Sequence, residues 1–70
     1  MKLSNFLLKQ TKVGDFVMIE DSGYYIGCTI IDYEDLFIGS LNSGLLLREV
    51  KRSHYEKSDW TIKPVLIVEV

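Results

Sequence analysis

A chain of 70 residues holds one domain, and its single cysteine and single histidine exclude an internal disulfide and argue against a zinc site built by one copy. The formal charge of −2 lacks the basic footprint of a dedicated nucleic-acid binder. Hydrophobic residues make up 47% of the chain, high for so small an interior, and point to self-association.

Met1-Lys2-Leu3 runs at once into Ser4 and Asn5, and the apolar run stops at Lys9, so no secretory leader is expected. No apolar stretch is long enough to span a bilayer. A lone Cys28 in an apolar run fits a reducing compartment, so the protein is expected in the cytoplasm, away from membranes.

The first element is a short helix over residues 4–11. Ser4 is placed to cap it, and Lys9 and Lys12 lie where the helix dipole favours cations. Leu3, Phe6 and Leu7 share one face, which must pack on something because a helix this short is unstable alone. Gly14-Asp15 turns into a strand over 15–20, Asp21-Ser22-Gly23 turns again, and the β-branched and aromatic run 24–31 completes a hairpin. Gly27 inside that strand predicts a bulge or a close backbone approach. Residues 36–41 read as a short strand, Asn42-Ser43-Gly44 as a turn, and 45–53 and 60–69 as the last two strands. Pro64 places an edge or bulge in the final strand. The fold expected is mostly β (α+β): a short N-terminal helix, then four to five antiparallel strands in a small barrel-like or curved sheet.

The segment Arg48 to Trp60 concentrates cationic and aromatic side chains in an otherwise apolar or acidic chain. A loop at residues 56–59 would pair Tyr55 with Trp60, Ser53 with Ile62 and Leu47 with Val68 on the core side. The opposite face would pair His54 with Thr61, Arg52 with Lys63 and Arg48 with Ile67. Like charges directly opposite one another are mildly destabilising unless an acidic group or an anion lies between them. Arg48, Arg52, His54 and Lys63 are therefore candidate anion-binding residues, with Glu20, Asp21 or the turn at 32–35 as the intramolecular source of neutralising charge. A one-residue slip of register would exchange the faces.

Asp32, Glu34 and Asp35 form a polar turn that lacks the ligand spacing of a calcium site. Cys28 reads as a buried, inert thiol rather than a nucleophile served by His54. Tyr24, Tyr25, Tyr33, Tyr55 and Trp60 are many amphipathic aromatics for this length, and such residues are favoured binding anchors. No phosphate-cradling loop, catalytic constellation or cofactor motif is present.

Two resemblances attach to these residues. Gly23 to Gly27 with Ile30-Ile31-Asp32 resembles the start of an Sm-like or SH3-like barrel, although the spacing is shorter and no second Sm motif appears near Ile67. The layout Leu7-Leu8-Lys9, Val17 to Asp21, Leu46-Leu47-Arg48-Glu49-Val50 and Leu66 to Val70 is similar to small proteins of Gram-positive bacteria and their phages. That grouping implies an accessory protein of a phage or mobile element, a class that includes inhibitors of host defence.

The expectation is thus a non-enzymatic interaction protein, an anti-CRISPR-like inhibitor that occupies a site on a host protein and forms homo-oligomers. Its acidic turns and aromatics would imitate nucleic acid or plug a cationic groove. The alternatives are an oligomeric sponge for an anionic nucleotide signal, gripped by Arg48, Arg52, Tyr55 and Trp60, and an Sm-like RNA-binding module.

Overall fold

The structure is a computed structural model that describes residues 1–32, 43–59 and 61–70. Helix α1 (Leu3–Gln10) is followed by β1 (Phe16–Asp21) and β2 (Tyr24–Ile30). A single helical turn, α2 (Ser43–Leu46), then precedes β3 (Arg52–Glu56) and β4 (Val65–Glu69). The expected strand 36–41 lies outside the described residues. The α+β class is as expected.

Ser4 does not cap α1. The capping position is Lys2, with no side-chain cap bond, and Ser4 lies inside the helix. The helix start is held instead from across the chain, where Leu3 N–H donates to the Arg48 carbonyl at 2.8 Å and Val50 N–H to the Met1 carbonyl at 2.9 Å. At the other end, the Thr11 N–H and hydroxyl both donate to the Leu7 carbonyl. Asp15 closes the following turn by accepting from the Lys12 N–H at 2.8 Å.

The hairpin of β1 and β2 turns through Ser22 and Gly23, with φ of 53° and 84°. Positive φ at both central residues is the geometry whose twist matches the flanking strands, and Gly23 adopts it without a Cβ clash. The register runs from Phe16 opposite Ile30 to Asp21 opposite Tyr24, with an irregularity that leaves Ile26 unpaired beside Gly27. The bulge expected at Gly27 is thus located.

The sheet order is β2-β1-β4-β3, and β1 runs parallel to β4. This corrects the expectation of a wholly antiparallel sheet: among the described residues the sheet is mixed and does not close into a barrel. A parallel pair needs a long crossover, and here the chain between β1 and β4 supplies it through β2, α2 and β3. β4 occupies an inner position, and its run Val65-Leu66-Ile67-Val68 is buried throughout. An unbroken apolar run is what a strand covered on both faces requires.

The principal core lies on one face of the sheet. Leu3 and Leu7 of α1, one turn apart, meet Val17 and Ile19 of β1, Leu66, Val68 and Val70 of the β4 segment, Ile31, and Leu45 of α2. This explains the second correction: residues 45–53 are not one strand. Leu45 reaches the core from a helical turn, Glu49 makes one isolated bridge to Lys2, and the strand begins only at Arg52. The final strand begins at Val65 rather than 60, so Pro64 precedes it and removes no donor from the ladder.

Leu7 has no solvent exposure and Ile62 is fully exposed. Leu7→Ala is expected to cost about 2–5 kcal/mol, a large share of the roughly 4–10 kcal/mol available to a domain of this length. Ile62→Ser is expected to change stability by less than about 0.5 kcal/mol. Urea unfolding followed by circular dichroism measures both.

Candidate functional site

The last hairpin sets the positions of the expected cationic strip. β3 pairs with β4 as Arg52 opposite Glu69, Ser53 opposite Val68, His54 opposite Ile67 and Tyr55 opposite Leu66. Arg52 therefore does not face Lys63, and Tyr55 does not face position 60. The partner of Arg52 moves from residue 63 to residue 69, an even step, so the alternation is kept, but Ser53, Tyr55 and Leu47, expected on the core side, are exposed. The connection is longer than a four-residue turn, running from Glu56 to Val65, and Leu66 and Val68 lie on the helix-covered face.

The strip is then divided into separate ion pairs. The Arg52 guanidinium lies 3.1 Å from Glu69, which neighbours Glu20 across the parallel strands. Arg48, just after α2, reaches Asp21 at 2.9 Å. Lys63 lies 3.8 Å from Asp15, at the opposite end of β1. His54 Nε2 lies 2.9 Å from the Glu56 carboxylate on the same face of β3. The carboxylates that meet these side chains are intramolecular.

These pairs are all at the surface. The hydrogen bond from Arg48, followed by that from the Ser22 hydroxyl, holds the Asp21 carboxyl below its ordinary value. The N-terminal ammonium does the same for Glu49, which it meets at 2.8 Å. On β2, a hydrogen bond with Cys28 and then burial raise the Tyr25 hydroxyl above its ordinary value. Cys28 itself is half-buried rather than enclosed in the core.

The remaining site candidates do not gather in one place. Tyr24 and Tyr25 are exposed at the start of β2, Tyr55 is exposed on β3, and Asp32 is exposed after Ile31. β2 and β3 are the opposite ends of the described sheet order. Tyr33, Glu34, Asp35 and Trp60 lie outside the described residues. Among the described residues, no three of His, Cys, Asp or Glu cluster in a way that could hold a metal ion. Among the same residues, no helix is long and apolar enough to cross a membrane.

A different concavity lies on the sheet face that turns away from α1. Phe16 and Met18 alternate with the core residues Val17 and Ile19 along β1, and register places Ile30 and Cys28 opposite them. A cleft of about 510 Å³ is lined by Phe16, Met18, Ile30 and Val65, with Ser58 and Thr61 contributed by the segment between β3 and β4. A second cleft of about 270 Å³ shares Phe16, Ile30 and Thr61 and continues to Gly14, Ile62 and Lys63. The volume of the larger one falls in the range of ligand or side-chain pockets. Its described lining has no ionisable side chain. The sequence carried a signal for this surface: Phe16-Val17-Met18-Ile19 is apolar at successive positions, so both faces of β1 need cover.

No protein-family model matches the chain, and no curated protein or solved structure matches it either.

The Arg48–Asp21 pair has a pH signature. Asp21 has a folded-state pKa below its ordinary value of 3.8, so the pair stabilises the fold above that pH and the contribution is lost as pH falls through the folded value. Arg48→Ala is expected to move the Asp21 titration, followed by NMR, back toward the ordinary value. The variant is expected to be less stable than wild type at neutral pH and equal to it in strong acid.

Proposed function

We propose that this is a non-enzymatic interaction protein of the phage or mobile-element kind, which acts by occupying a site on a host protein. The observation that carries this reading is the larger cleft: a concavity floored by Phe16, Met18, Ile30 and Val65 and rimmed by two hydroxyl residues. Such a surface suits an apolar or aromatic anchor from a partner protein, because burying that side chain removes apolar area from water without desolvating a charge. General acid–base or nucleophilic chemistry needs titratable groups that converge on a reacting atom, and the described lining supplies none.

The anionic-ligand reading draws less support from the same structure. Arg48, Arg52 and Lys63 each have a carboxylate within 4 Å, so an incoming phosphate would have to displace it. Arg48 and Arg52 lie at one end of the sheet and Lys63 at the other, so the three do not form one strip. The inhibitor reading places the protein in the cytoplasm, where a half-buried free thiol such as Cys28 stays reduced.

Ile30 borders the cleft and is 61% exposed, so a charge there is tolerated by the fold. Immobilised wild-type protein is expected to retain a host protein that Ile30→Lys loses by about tenfold or more, the scale of a binding hot spot. Arg52→Ala, on β3 at the other edge, should retain it as wild type does. Thermal melting checks that both variants fold, and equal retention by Ile30→Lys and wild type would sink the reading.

A further inference from the structure

The two edges of the described sheet differ in how they are protected. β3 carries Arg52, His54 and Glu56, and Lys51 precedes it. Charged side chains along an edge strand discourage pairing with another chain. β2, Tyr24-Tyr25-Ile26-Gly27-Cys28-Thr29-Ile30, has no charged residue and no proline. Tyr24 and Ile30 are 76% and 61% exposed, and Tyr25 and Ile26 are also exposed. Among the described residues only β1 pairs with it.

The phase of the ladder shows which backbone groups face outward. Ile31 turns both of its groups inward, its N–H to the Asp15 carbonyl at 3.0 Å and its carbonyl to the Gly14 N–H at 2.8 Å. Antiparallel ladders alternate, so Ile30 and Cys28 direct their N–H and C=O groups to the outer edge. A strand arriving antiparallel finds these donors and acceptors spaced to receive it.

We infer that the strand this edge takes is β2 of a second copy of the chain, paired antiparallel about a two-fold axis at Cys28. In that register the outward groups of Cys28 bond to those of its mate, and, because the bulge at Ile26 puts Tyr25 on the face of Cys28 and Ile30, Ile30 of one copy meets Tyr25 of the other. Apolar side chains then cover one another, and neither strand brings a charge to the seam. A self-paired β3 would instead bring its histidine and charged side chains against one another. A two-fold axis at Thr29 also satisfies the phase, but it would set Asp32 against Tyr25 and bring a carboxylate into the seam. The axis stands perpendicular to the continued sheet, so the apolar clefts of the two copies open on the same side. The inference goes beyond the cleft reading and shares only Ile30 with it.

Light scattering after size exclusion tests this across a concentration series. Wild type is expected at twice the 8.1 kDa mass of one chain. Tyr25→Lys should run as a monomer, while Tyr55→Lys, on the charged edge, should remain dimeric. Residues opposed in a hydrogen-bonded antiparallel pair have Cα atoms about 5.5 Å apart, within disulfide reach. Mild oxidation should therefore link wild-type dimers through Cys28, a readout that needs no substitution and holds even where Tyr25→Lys fails to fold. A wild-type monomer at all concentrations overturns the inference, as does a dimer that survives Tyr25→Lys and does not cross-link at Cys28. A monomer whose host-protein retention still depends on Ile30 leaves the cleft reading standing, whereas a cross-linked dimer with Ile30-independent retention removes the cleft reading alone.

Discussion

The parallel pairing of β1 with β4 is the contact on which the other elements depend. It brings Val17 and Ile19 beside Leu66 and Val68, and these four side chains form the floor on which Leu3 and Leu7 of the helix rest. Neither strand could be exposed on that face without placing a row of branched apolar side chains in water. The pairing also joins the first and last parts of the chain, and its ladder continues where Val70 N–H donates to the Glu20 carbonyl at 2.9 Å. The hairpin of β1 and β2 and the pairing of β3 with β4 are attached to this pair from either side.

The same arrangement explains the charge distribution. Running parallel, β1 and β4 end together, so Glu20 and Glu69 are neighbours. Arg52 on β3 lies beside Glu69, and Arg48 reaches Asp21 one residue beyond Glu20. Arg48 and Arg52, which look like part of a ligand grip in the linear chain, thus answer carboxylates that the strand pairing gathers at one end, while Lys63 meets Asp15 at the other. Surface ion pairs of this kind contribute little stability. Here they offset like-charge repulsion between neighbouring carboxylates.

With the charges answered internally, the distinctive surfaces are apolar. The helices cover one face of the sheet, and the face turned away from α1 bears the Phe16, Met18, Ile30 and Val65 cleft. The β2 edge adjoins it at Ile30. A chain with so high a hydrophobic content has too little interior to bury all of it, and part of the excess lies on this side, at Tyr24, Tyr25, Ile26 and Ile30. The proposed contacts, with a second copy at the edge and a host protein at the cleft, would remove that part from water.

Several elements were legible in the chain itself. The helix follows from Leu3, Phe6 and Leu7 at helical spacing, and the first hairpin from Asp-Ser-Gly between two β-rich runs. The bulge at Gly27 and the apolar run of β4 were equally local signals. Site residues were less legible: Arg48, Arg52, His54 and Lys63 lie close along the chain, but the structure gives each a separate carboxylate. The reason is that the pairing depends on where β3 begins, and Leu45, held in the core by residues distant in sequence, delays that start to Arg52. Composition and periodicity by themselves determined the class of fold, the helix, the first hairpin and the absence of catalytic motifs, because these rest on residues close together along the chain. Tertiary structure alone decided the parallel β1–β4 pair, the helical turn at Leu45, the partner of Arg52 and the apolar cleft, because each depends on burying side chains that the sequence keeps far apart.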